Sequence, residues 1–194
     1  MNLRGTHGTS RTYADAILAG NWFKPTVAKK SRAGKGVYFW ASHEDDAEEI
    51  VTKYLAVSWF MVHRRSGIYG KDSDNCAVIG VDISQPSELE YFDATPHKFQ
   101  NELQLMALTA GAKNFDTGSA TSVLIKKLEA IRKSTIILLK TTVQTPKRPG
   151  TQCPIAKSFP NSNVYVVRDG GQKLLCNPKI IHEEKSEVKE GEAP

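Results

Sequence analysis

Apolar runs of strand length recur along this chain without alternating regularly with helical patterns, and that order restricts the folds open to it. Residues 2–8 read as a short first strand that ends in a turn. The runs GVYFWA (36–41), CAVIGVDI (76–83), LEYFD (89–93), STIILLKTTVQT (134–145), VYVVRD (164–169) and LLCNPKIIHE (174–183) read as further strands. Helical spacing appears over TYADAILAG, with Ser10 or Thr12 as cap and Gly20 just past its end. It appears again over 43–63, where Ser42 caps a first turn rich in acids, and near 97–110 and 119–133. Strands dominate and βαβ units are missing. The pattern predicts an α+β fold: a mixed or antiparallel sheet, flanking helices and a helical insertion near 95–135.

The chain has 194 residues, 40% of them apolar and 24% charged, which suits a globular domain able to bury a core without disulfides or metal. Cys76, Cys153 and Cys176 are widely spaced and form no C-x-x-C pair, so neither a disulfide scaffold nor a zinc finger is expected. No apolar run reaches 18 residues and the first ten residues hold no apolar core of a signal peptide. The expectation is a soluble, cytoplasmic protein with no membrane partner. It is a single domain over 1–182 with no domain before its first strand, 95–150 as an insertion, and an acidic, solvated tail over 183–194. The tail from Glu183 carries five acids and two lysines, which leaves a net charge of +8 on the body. A basic body suits a polyanionic partner, and solubility alone is the plainer explanation.

Three familiar chemistries are disfavoured. Gly34-Lys35-Gly36 resembles part of a phosphate-binding loop, but no hydroxyl follows the lysine and a strand follows where a helix is needed. The five histidines form no H-x-x-x-H pair, so no metal is expected, and no G-x-S-x-G elbow is present.

What stands out is His7-Gly8-Thr9-Ser10 at the end of the first strand and, some thirty residues later, Gly36-Val37-Tyr38-Phe39 entering another. A histidine beside a glycine sets a directional imidazole next to bare backbone, whose N–H and C=O a flat ligand can approach. A tyrosine after a glycine can offer a ring face to the same ligand.

The ordered motifs HGTS, AILAGNWF and GKGVYFWA, with VYVVRDGGQ near the C-terminus, resemble the ADP-ribosyltransferase superfamily. The similarity is to its His-Tyr-Glu branch, which includes the poly-ADP-ribose polymerases and diphtheria-like toxins. CAVIGVDI followed by EYFD also resembles the central strands of that fold. The resemblance covers most of 3–92 and 160–182 and leaves 95–150 unmatched. It implies split β-sheets with flanking helices, and NAD+ as substrate. By that resemblance His7 hydrogen-bonds the nicotinamide-side ribose, Gly8 binds the nicotinamide amide through its backbone, and Tyr38 stacks on the ring. Thr9, Ser10 and Arg11 lie near the adenosine half, Gly36 and Phe39 belong to the cofactor-binding loop and strand, and Tyr54 offers a second ring. The offset of Tyr54 departs from the family position, where Glu49 falls, and core packing is its plainer role.

The bond between nicotinamide and ribose breaks with oxocarbenium character, which a carboxylate near the ribose normally stabilises. The family glutamate falls at Val164, which cannot do this. Three readings stay open: Asn163 turns inward on a bulged strand, a carboxylate such as Glu102 reaches over from the insertion, or the site works without an acid. All three disfavour polymer synthesis. The sequence therefore points to mono-ADP-ribosyl transfer, with RNA ahead of protein as acceptor; an inactive NAD or ADP-ribose-binding module is the alternative. Lys24, Lys29, Lys30, Arg32 and Lys35, with Lys147, Arg148 and Lys157, are candidate backbone contacts, and Trp22, Trp40 and Tyr69 candidate stacking platforms. A freestanding basic transferase domain resembles a bacterial toxin or anti-phage effector, for which an antitoxin protein is the expected partner.

Overall fold

A computed structural model describes residues 3–20, 23–25, 33–42, 46–64, 69, 75–110, 116–147 and 159–185. Among the described residues there are seven strands: β1 (Leu3–Ser10), β2 (Val37–Ser42), β3 (Asn75–Ile83), β4 (Tyr91–Asp93), β5 (Leu138–Gln144), β6 (Asn161–Val167) and β7 (Leu175–Lys185). They form one hydrogen-bonded sheet in the order β4-β5-β6-β2-β1-β3-β7. Only β4 and β5 run parallel; the other neighbours are antiparallel. Four helices accompany it: α1 (Arg11–Leu18), α2 (Asp46–His63), α3 (His97–Ala110) and α4 (Thr117–Arg132). The α+β class read from the sequence is the observed one. No helix among the described residues is long and apolar enough to cross a membrane.

The sheet is covered on both faces, which is why its inner strands β3 and β6 read as nearly unbroken apolar runs. On one face Trp40, Val78, Val164 and Val166 pack with Leu55, Ala56 and Phe60 of α2, Phe99 and Leu103 of α3, and Ile125 of α4. On the other, Phe39, Ile79, Val81, Leu138 and Tyr165 lie under Ala14 of α1, Phe23 and Leu174. Residues 95–150, unmatched in the sequence, supply more than helices: β5 is an inner strand between β4 and β6.

Local chemistry explains the element ends. The Ser10 hydroxyl accepts from the Tyr13 amide and caps α1. Gly20, at φ +96°, follows the helix end and donates its amide to the Ile17 carbonyl. Asp116 caps α4 through the amides of Gly118 and Ser119.

The split β-sheets that the resemblance implies are not observed, since all seven strands join in one hydrogen-bonded sheet. β1 and β2 pair only over Arg4–Thr6 and Trp40–Ser42. Beyond that point β1 stays paired with β3 through Ser10, and β2 stays paired with β6 down to Val37. The gap falls where His7, Gly8 and Tyr38 stand.

Helix α2 lies directly on β1 there. The Thr6 hydroxyl donates to the Thr52 carbonyl at 3.0 Å, and a Cβ built on Gly8 would sit 2.1 Å from the Ala56 carbonyl oxygen. Neither backbone can yield cheaply, so Gly8→Ala is expected to destabilise the fold by about 1–3 kcal/mol, as overpacking does. Urea unfolding of the variant against the parent chain checks this; an unchanged midpoint would mean that α2 does not seat on β1 this closely.

Candidate functional site

His7 sits at the mouth of the gap between β1 and β2. Its Nδ1 lies 2.8 Å from the Tyr38 carbonyl oxygen. A carbonyl only accepts, so Nδ1 carries the proton. The ring meets Phe23 edge-on at 5.3 Å between centroids and Phe39 at 5.6 Å, and Phe23 and Phe39 are themselves T-shaped at 5.1 Å. Burial lowers the His7 pKa from its ordinary 6.5 and outweighs the opposing pull of the Tyr38 carbonyl. The imidazole is therefore neutral near pH 7, with Nε2 as an acceptor, and that nitrogen has no hydrogen-bond partner among the described residues.

The other expected site residues divide between the two sheet faces. Phe39 is fully buried beside His7, and Thr9 is buried on the same strand two residues on. Tyr38 packs on the opposite face, as strand alternation requires of the residue before Phe39. Its hydroxyl donates to the Gly34 carbonyl at 2.7 Å and accepts from the Ala33 amide at 3.0 Å. It is thus the backbone of Tyr38, not its ring, that meets His7, and the ring anchors the Gly34 turn. Gly36 is needed because β6 comes close: a Cβ there would stand 2.6 Å from Val166 Cγ1 and 2.9 Å from the Val167 carbonyl oxygen.

Ser10 is fully buried as the α1 cap, and Arg11 pairs with Asp15 at 2.9 Å and with Glu183 on β7 at 2.5 Å. Tyr54 is half-buried on α2. It stands two positions from both Thr52 and Ala56, which face β1, and the helical step turns it roughly 160° from them. Glu49, at the family offset, lies near the start of α2 and pairs with Lys53 at 3.2 Å.

The three readings of the missing carboxylate can be located. Val164 is 1% exposed and packs in the core beneath the helices. Asn163 is exposed and aligned with Thr142 on β5. It is two strands and one pleat from His7, about 12 Å by strand spacing and rise. Glu102 is exposed on α3, whose Phe99 and Leu103 pack on the face opposite the His7 ring.

Of the stacking candidates, Trp40 is buried against Trp59, and Tyr69 is buried against Phe60, with its hydroxyl pKa pushed well up by burial. Trp22 lies outside the described residues, as do Lys29, Lys30, Arg32, Arg148 and Lys157. Lys35 pairs with Asp169 at 2.8 Å, Lys24 sits 4.7 Å over the Tyr13 ring, and Lys147 is exposed. Phe23 was not singled out from the sequence. Its signal there is its place beside Trp22 at the end of the AILAGNWF motif, between a helix end and a polar loop. No group of three or more metal-ligating side chains occurs among the described residues. Comparison with known protein families, with curated proteins and with solved structures finds no match for this chain.

The lowered pKa of His7 links it to stability. The unfolded chain takes up this proton first as pH falls, so the His7 contribution is complete above pH 6.5 and is lost as pH drops towards the folded-state pKa. Thermal melts from pH 7.5 down to 5 are expected to show a decline that His7→Gln flattens. An imidazole that titrates at or above 6.5 by NMR in the folded chain would contradict the assignment.

Proposed function

We propose that this chain is a mono-ADP-ribosyltransferase that moves ADP-ribose from NAD+ to a macromolecule and releases nicotinamide. The observation that carries the reading is the His7 imidazole, fixed by the Tyr38 carbonyl where β1 and β2 part, with Nε2 left as an acceptor. The nicotinamide-side ribose offers hydroxyl donors to such a nitrogen. The order HGTS, GKGVYFWA and VYVVRDGGQ supports the same assignment. In this reaction the glycosidic C–N bond breaks, nicotinamide leaves with the bonding pair, and an acceptor atom attacks the ribose carbon. His7 orients the ribose, while Phe23 and Phe39 exclude water around its ring.

Neither Asn163 nor Glu102 stands beside His7, which favours a site without a nearby acid and transfer of single units rather than polymer growth. The basic body favours a nucleic acid, RNA first, as acceptor. A toxin or anti-phage effector held by an antitoxin remains an analogy with the family. One observation favours a second reading, a module that binds NAD+ or ADP-ribose without catalysis: the family glutamate position is a valine sealed in the core.

NAD+ labelled in its adenine half, incubated with the protein and a lysate, tests the assignment when the products are split with nuclease and protease. The expected outcome is nuclease-sensitive label that falls by about two orders of magnitude in His7→Ala, as loss of a key transition-state contact would give. Protease-sensitive label would replace the acceptor with protein. Neither label nor nicotinamide release, with NAD+ still bound, would establish the binding module instead.

A further inference from the structure

A second concavity, of about 270 Å³, opens on the α2 side of the sheet beside the start of α2. It is assembled from β1, β2, β3, β7 and α2, so no single segment encodes it. The His7 ring lies on the opposite face, among Phe23 and Phe39, and has no part in it.

Its side chains are arranged as a recognition site. Arg4 pairs with Asp82 through Nε at 3.6 Å, with its side chain half exposed. Lys179, on β7 at the far side of β3, lines the same pocket, is exposed and makes no ion pair among the described residues. Lys179 is thus presented unpaired, and Arg4 is held by a single long ion pair to Asp82 on the strand between them. The acids are partly satisfied already: Asp82 accepts from the Asn177 amide at 3.0 Å, and Glu49 pairs with Lys53 at 3.2 Å. Each keeps lone pairs to accept from neutral hydroxyls.

The backbone is shaped around this set. Asn177 has φ +50°, an uncommon conformation for a side-chain-bearing residue, and it aims the amide at Asp82. The β3–β7 register shifts between Gly80 and Asp82, beside it, and such irregularities re-aim side chains. Gly80 lines the floor and lets the Ile181 side chain lie close against it, since a Cβ there would stand 3.0 Å from Ile181 Cγ2.

We propose that this pocket binds a small sugar phosphate, with the phosphate between Arg4 and Lys179 and the sugar hydroxyls on Asp82 and Glu49. A bare anion would leave most of the volume empty and face two carboxylates. A neutral sugar would leave both cations unmatched. A guanidinium and an ammonium lining one pocket suit a phosphate, since charge-assisted hydrogen bonds are the strong ones. The hydroxyl-accepting acids lie where the organic body would rest.

The experiment is calorimetric titration of the full chain with ribose 5-phosphate, inorganic phosphate and ribose. Ribose 5-phosphate is expected to bind, with inorganic phosphate and ribose each weaker by about tenfold or more, since each lacks half of the charge-assisted or polar contacts. Arg4→Gln and Lys179→Gln are each expected to weaken binding by about tenfold. Both side chains are well exposed, so their melting temperatures without ligand should match the parent. His7→Ala should leave this binding unchanged, which separates the pocket from the proposed NAD+ site. Lack of ribose 5-phosphate binding, equal affinity for inorganic phosphate, or binding insensitive to both substitutions would each overturn the proposal.

Discussion

The close seating of α2 on the bare backbone of Gly8 is the constraint on which the rest of the arrangement depends. A helix that comes within Cβ-excluding distance of a strand leaves no slack at that point, and the Thr6–Thr52 hydrogen bond pins it one turn earlier. From that contact follow the burial of Trp40, Val164 and Val166 beneath the helices and the position of Glu49 at the edge of the second pocket. The glycine of the His-Gly pair therefore has a structural reason that does not require a ligand. So does Gly36, pressed against β6, and Ser10, which caps α1.

The functional argument then narrows to His7. Packing does not consume its chemistry: one nitrogen is committed to the Tyr38 carbonyl, and the other is an acceptor with no partner among the described residues. Tyr38 serves it through a carbonyl and spends its ring and hydroxyl on the Gly34 turn across the sheet. A dinucleotide held here would be oriented by the histidine and by backbone at the parted strands, with aromatic surface from Phe23 and Phe39. Val164, where the resemblance would place a glutamate, is sealed in the core and presents no charge to a ligand beside His7.

Much of the architecture was legible in the order of residues because it is local. Strand-length apolar runs mark β1 to β7, helical spacing marks α1 to α4, and the capping role of Ser10 and the terminal role of Gly20 follow from short-range hydrogen bonding and backbone sterics. The α3 span coincides with the run read from its periodicity. The strand within 134–145 was also visible, but not its place as an inner strand between β4 and β6, since pairing partners are set by contacts between distant segments. The candidate site was less legible. His7, Tyr38 and Asn163 all appear in the motifs, yet alternation along β2 sends the Tyr38 ring to the other face. Register leaves Asn163 two strands away.

The sequence by itself determined the α+β class, the approximate place of each element and the basic body, because propensity, capping and charge belong to neighbouring residues. Only the tertiary structure decided which face each side chain takes, that Val164 is core, that Phe23 closes over His7, and that Arg4, Glu49, Asp82, Asn177 and Lys179 surround one pocket. Those outcomes rest on strand register and on the approach of α2 to β1, which bring together groups up to 175 positions apart in the chain, from Arg4 to Lys179.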